Sequence, residues 1–154
     1  MAVRFSTGLR DALLDANPLK TVFQDGIIEI RTGSQPASAD DAVTGTLLGT
    51  VTLNSGAFTP GSPTNGLEFG TAASGVIGIN PGDVWSFNAV ATGVAGWFRF
   101  KGNALDNDAS STTLPRIDGS VGKGTGDLSL SATSLSSGAP TTIDAFNLTL
   151  NQTA

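Results

Sequence analysis

Apolar and polar positions along the chain change period several times. Between Ser6 and Ala16 the apolar residues Leu9, Leu13 and Ala16 fall on one helical face, with Ala12 beside them. Ser6 or Thr7 is placed to cap that helix. Asn17-Pro18 reads as a second cap with proline at the first helical position. Leu19, Val22 and Phe23 line a second short helix, which Gly26 would end in a left-handed turn. From Ile27 onward the period falls to two. Ile27–Thr32 alternates, with Ile28 and Ile30 on one face. Ser38–Asp41 has the spacing of a capping box, which predicts a helical turn over Ala39–Val43. Thr46–Leu53 reads as a strand with Leu47, Val51 and Leu53 on one side.

The next segment, Ser55–Gly66, is rich in turn residues: Pro60-Gly61, Pro63 and Asn65-Gly66. Leu67–Phe69 and Val76–Ile79 are short strand candidates. Val84–Val90 follows, with Trp85, Phe87 and Ala89 on one face. The densest apolar strand is Gly96–Lys101. There Phe98 and Phe100 point one way, while Trp97, Arg99 and Lys101 point the other. Two phenylalanines fit a buried face. An indole flanked by two cations fits a face meant for water or for another protein, and a covering helix or loop of the same chain is the competing reading. Gly102–Ser111 is loop. Leu114–Val121 begins at Pro115 and so predicts an edge strand. Gly122–Asp127 reads as a hairpin turn, Leu128 and Leu130 as a short strand, and Ser134–Pro140 as loop. In Thr142–Asn151, Phe146, Leu148 and Leu150 alternate with polar residues.

Eight to ten strands at this spacing predict a mainly β chain. The expected form is a β-sandwich, jelly-roll-like or immunoglobulin-like, with two short N-terminal helices. The length of 154 residues fits one domain, 1–154, with residues 1–25 as a helical arm. No internal repeat stands out.

Composition narrows the chemistry. The chain has no cysteine and no histidine, which removes disulfides, thiolate ligands and the commonest general base. The net charge is -5, and the few cations form no cluster, so neither nucleic acid nor an anionic membrane is an expected partner. No apolar run approaches the roughly 20 residues of a membrane span. The stretch Met1–Ser6 lacks the apolar core of a signal peptide.

Motif tests are negative. Asp106-Asn107-Asp108 resembles the start of a calcium loop, but the sixth and twelfth positions hold Ser111 and Ile117 instead of Gly and Glu. Gly122-Lys123-Gly124-Thr125 misses the phosphate-loop pattern, since Gly124 separates the Lys from the Thr. Without histidine no Ser-His-Asp triad can form. The expectation is a non-enzyme with no catalytic residues, no cofactor and no metal. Trp97, Arg99 and Lys101 are the strongest interface candidates, because aromatic and Arg side chains are enriched at binding hot spots. Phe5 of the N-terminal arm and Gln35, Pro36, Asp40 and Asp41 of the following loop join them.

Four stretches carry a resemblance. They are Met1–Leu14 (MAVRFSTGLRDALL), Gly26–Thr52 (GIIEIRTGSQPASADDAVTGTLLGTVT), Gly96–Gly122 (GWFRFKGNALDNDASSTTLPRIDGSVG) and Thr141–Leu150 (TTIDAFNLTL). Together they resemble a family of short structural proteins from tailed-bacteriophage virions, of the minor capsid or decoration type. The resemblance implies a virion location after assembly in a bacterial cytoplasm, and the major capsid protein or other virion proteins as partners. A homo-oligomer is expected. Capsid decoration or cement is the favoured role. A tail or tail-fibre adaptor is one alternative. A glycan-binding module using Trp97 and the loop Asn103–Ser111 is another.

Overall fold

The computed structural model describes residues 3–15 and 17–150. Its elements are β1 (Arg4–Phe5), α1 (Thr7–Asp15), α2 (Leu19–Val22), β2 (Ile27–Thr32), β3 (Leu47–Leu53), β4 (Val76–Gly78), β5 (Trp85–Asn88), β6 (Gly93–Lys101), β7 (Arg116–Gly122), β8 (Leu128–Leu130), β9 (Ser134–Leu135) and β10 (Pro140–Thr149). The chain is mainly β with two short helices, as the pattern predicts.

The sheet is arranged differently from the expected sandwich. Pairings run β6–β7–β8–β10–β5–β3–β2 and back to β6, so seven strands close a ring. The result is barrel-like, with one sheet curled on itself. Closure satisfies strand edges that a sandwich leaves open. Three short strands hang on this ring: β1 on β7, β4 on β10 and β9 on β6. The predicted edge strand, β7, is interior, with β6 on one side and β1 and β8 on the other. Pro115 lies just before it and so removes no ladder bond.

Phenylalanine and tryptophan fill the barrel. Phe100 is the hub, with its ring centroid 4.7 Å from Phe23, 5.4 Å from Phe69, 5.9 Å from Trp85 and 5.9 Å from Phe146. Phe98 closes the cluster edge-on against Phe146 at 5.4 Å. Leu9 of α1 and Phe23 after α2 are fully buried in the same core. The N-terminal segment is therefore packed on the barrel as well as leading into it. Ser6 caps α1, its Oγ accepting the Leu9 N–H at 3.1 Å.

Local expectations fail where tertiary contacts intervene. β3 pairs Ile30 with Gly49 but Arg31 with Leu47, so Leu48 is an extra, bulged residue. The bulge switches the inward parity, and Leu48 and Val51 share the core instead of Leu47 and Val51. Pro18 precedes α2 in an extended conformation (φ -58, ψ 142) instead of opening it. The left-handed residue after α2 is Asp25 (φ 58), not Gly26. Ser38–Asp41 forms one turn, with the Asp41 carboxylate accepting the Ser38 N–H at 3.0 Å, and no helix grows from it. The Gly122–Asp127 segment turns back on β7 as expected, with Val121 bridging Gly126 in antiparallel register and the Asp127 N–H donating to the Ser120 carbonyl at 3.1 Å, before β8 pairs with β7 in parallel. Gly124 (φ +67) and Gly126 (φ +81) let it turn, and the Asp127 carboxylate fastens it to Ser120.

Candidate functional site

Strands β2, β6 and β7 lie side by side, and each carries charge on its outward face. The register aligns Glu29, Arg99 and Asp118 in one row across the three strands. A neighbouring row aligns Lys101 with Arg116. Arg31 lies opposite Trp97. The face expected to meet water or a partner is covered by its own chain: Trp97 and Arg99 are 0% exposed and Lys101 is 3% exposed. This corrects the surface reading of these three residues, and the cover is made of two loops, 33–46 and 102–115.

The charges hold that cover. Arg99 grips the fully buried Asp118 with both ends of its guanidinium, at 2.8 and 2.7 Å. Its remaining nitrogen donates to the Asp41 carbonyl at 3.0 Å. Arg116 holds both oxygens of Asp106, at 2.7 and 2.6 Å, and donates to the Ala109 carbonyl at 2.8 Å. Lys101 pairs with Glu29 and Asp108, and Arg31 pairs with the same two carboxylates. The set holds four cations and four carboxylates, so it is neutral, and the full net charge of -5 sits outside it. Burial pushes the Asp118 carboxyl above its ordinary value despite the Arg99 hydrogen bonds that pull it down. For Asp106 burial pushes the same way, but the Arg116 hydrogen bonds, the Asp108 amide and the two nearby cations outweigh it, and the net shift is downward.

The expected loop residues have roles in this cover. Gln35 is buried. Pro36 is buried, and its carbonyl accepts from the Arg4 guanidinium. Asp40 reaches the start of α1, where Thr7 donates its N–H at 2.7 Å and its hydroxyl at 2.6 Å. Those bonds, with Arg10 and Arg116 nearby, outweigh burial and hold the Asp40 carboxyl below its ordinary value. Asp41 is exposed but contributes its carbonyl to Arg99 and Arg116. The structure thus brings Asp41 and Arg99 together, as partners inside one layer. Glu29, Asp118, Arg31 and Arg116 were not singled out from the sequence, and Asp106 and Asp108 were weighed there only as the start of a calcium loop. The signal was there: three strands each carry two charges two residues apart.

Two concave surfaces lie next to the residues singled out above. A polar cleft of about 420 Å³ borders the charged layer, with Glu29, Thr50, Thr52, Phe58, Lys101 and Asp106 in its wall. Its charged groups are already bound to one another or to Arg116. The second is an apolar groove of about 620 Å³ between the N-terminal segment and the end of β10. Phe5, Leu13, Leu19, Ile77, Leu148 and Leu150 line it. Phe5 is the one expected interface residue that faces it. Among the described residues no group of three or more Asp and Glu side chains is arranged to hold a metal ion. Asp106 and Asp108, the suspected calcium-loop pair, are turned inward as counter-ions.

Comparison with family models finds no match, and comparison with curated proteins and with solved structures finds none either.

Proposed function

We propose that this chain is a non-enzymatic structural protein of a tailed-phage virion, acting as a capsid decoration or cement protein. The sequence resemblance supplies the virion context. The observation that carries the binding role is the apolar groove: a concave surface of aliphatic and aromatic side chains holding Phe5, with no paired carboxylates and no nucleophile–base arrangement. Such a surface gains free energy by burial. The mechanism is binding. Apolar area buried against neighbouring virion subunits stabilises the shell against the outward pressure of packaged DNA. The barrel and its charge-clamped loops supply a rigid body, so little ordering entropy is lost on docking.

A tail or tail-fibre adaptor is the alternative that the same groove could serve. The glycan-binding reading loses its platform, because Trp97 is fully buried and has no face open for a sugar to stack on.

Quantitative mass spectrometry of purified particles tests the proposal. Decoration predicts a copy number comparable to the major capsid protein, and a higher melting temperature for shells supplied with this protein than for shells without it. A copy number far below that of the shell subunit overturns the decoration role and points to the tail or portal.

A further inference from the structure

The groove has three features that identify its occupant. The first is charge. None of the 13 acidic residues lines it, and Lys20 is its charged side chain. The rest of the molecule is net acidic, so this acid-free groove is complementary to an acidic surface of a second copy. The second is an exposed apolar side chain next in sequence to a groove residue. Leu14, next to the groove residue Leu13 on α1, is 85% exposed, the most exposed large apolar side chain among the described residues. Exposed Asp11 and Asp15 flank it, and neither Asp15 nor Lys20 takes part in an ion pair among the described residues. The third is an open strand edge. Leu150 N–H donates to the Gly75 carbonyl at 2.8 Å, on the β4 side. In an alternating antiparallel ladder the N–H and C=O of Asn147 and Thr149 then point to the opposite side. There β8 has ended, its last pairing being Leu128 with Phe146, and no described strand continues the ladder.

We propose that a second copy of this chain fills the groove, inserting Leu14 with Asp11 and Asp15 toward Lys20, beside the open edge of β10. This rests on the reading of the groove as a protein-binding surface and names its occupant. Leu14 follows the groove residue Leu13 on α1, and a two-fold arrangement in which each copy supplies both projection and groove closes the assembly at a dimer.

Sedimentation velocity of the full chain across a concentration series tests it. The wild type is expected to shift from monomer to dimer as concentration rises. Lys20→Glu places like charges together and is expected to weaken dimerisation about tenfold or more. Asp15→Lys is expected to weaken it similarly. The double variant Lys20→Glu/Asp15→Lys is expected to regain most of the loss. Both positions are exposed, and an unchanged circular dichroism spectrum checks that the fold survives. A wild type that stays monomeric at every concentration overturns the proposal, as do single variants that associate like the wild type. Binding to isolated shells, measured on the same samples, separates the outcomes: a monomer that still binds shells removes this interface and leaves the decoration role standing, whereas a dimer that binds no shell does the reverse.

Discussion

Individual residues carry roles here that their identity alone does not declare. Gly26 was expected to supply a left-handed turn. Its actual constraint is space: a Cβ there would lie 2.3 Å from the Lys101 carbonyl oxygen and 3.1 Å from the Phe100 ring. Gly26→Ala is therefore expected to destabilise the protein by roughly 1–3 kcal/mol through overpacking. Gly33, where a Cβ would meet nothing within 4 Å, should show only the smaller backbone cost of its positive φ. Urea denaturation of the two variants checks the order. Trp97 is a second case. Its ring lies 5.6 Å from the Arg99 guanidinium carbon, and its indole N–H is buried with no hydrogen-bond acceptor. Trp97→Ala is expected to cost about 3–5 kcal/mol of stability through the cavity it leaves. Trp97→Phe should cost markedly less, since it keeps a ring and removes an unsatisfied donor. Thermal melts of both distinguish this packing role from a surface role, in which neither change would move stability much. Aromatic content was legible in the sequence; that both faces of β6 are buried over Trp97–Lys101 was not, because alternation gives two faces without naming what covers them.

At the scale of elements, the charged layer joins β2, β6 and β7 to loops distant in sequence. Arg99 and Asp118 are both fully buried and paired, so removing one leaves an uncompensated charge. Asp118→Asn or Arg99→Met alone is expected to cost about 3–5 kcal/mol, whereas replacing both by apolar residues of similar volume should recover much of it. A double-mutant cycle from denaturant melts gives the coupling directly. The layer also sets the acid response. Asp106 and Asp40 have lowered carboxyl values, so their stabilisation is complete above the ordinary value of 3.8 and is lost as pH falls through their folded values. Asp118 is raised, so its contribution has the opposite sign: it favours the fold at low pH, and that gain is lost as pH rises through its folded value. Asp106→Asn is thus expected to lower stability at neutral pH and to make the loss on acidification shallower. Melting temperature against pH, compared with wild type, checks both halves. Strand β2 was legible to its exact bounds, because Ile28 and Ile30 alternate cleanly with Glu29 and Arg31. The β3 face was not, because the Leu48 bulge arises from pairing with β2 and with β6 beyond it, and leaves no mark in local periodicity.

For the whole molecule, a closed ring of strands leaves few open strand edges among the described residues, and the apolar groove lies beside the end of β10. Leu148→Asp would put a carboxylate on a surface now free of them and is expected to weaken subunit contact at the groove. Its effect should be read both as dimer loss and as loss of shell stabilisation, with a melt to confirm folding, since Leu148 is itself 7% exposed. The sequence by itself determined the mainly β character, the two N-terminal helices, the inward placement of Phe98, Phe100, Trp85 and Phe87, and the lack of histidine and cysteine chemistry. Those follow from local period and composition, which a chain carries without its fold. Only the tertiary structure decided that the sheet closes into a barrel, that β7 is interior, that half of the chain's eight cations are neutralised in one buried layer, and that the apolar groove joins β1, α1, α2, β4 and β10. These are properties of pairing between segments far apart in sequence. Strand order and register are fixed by the joint burial of many side chains, and no window of neighbouring residues contains that information.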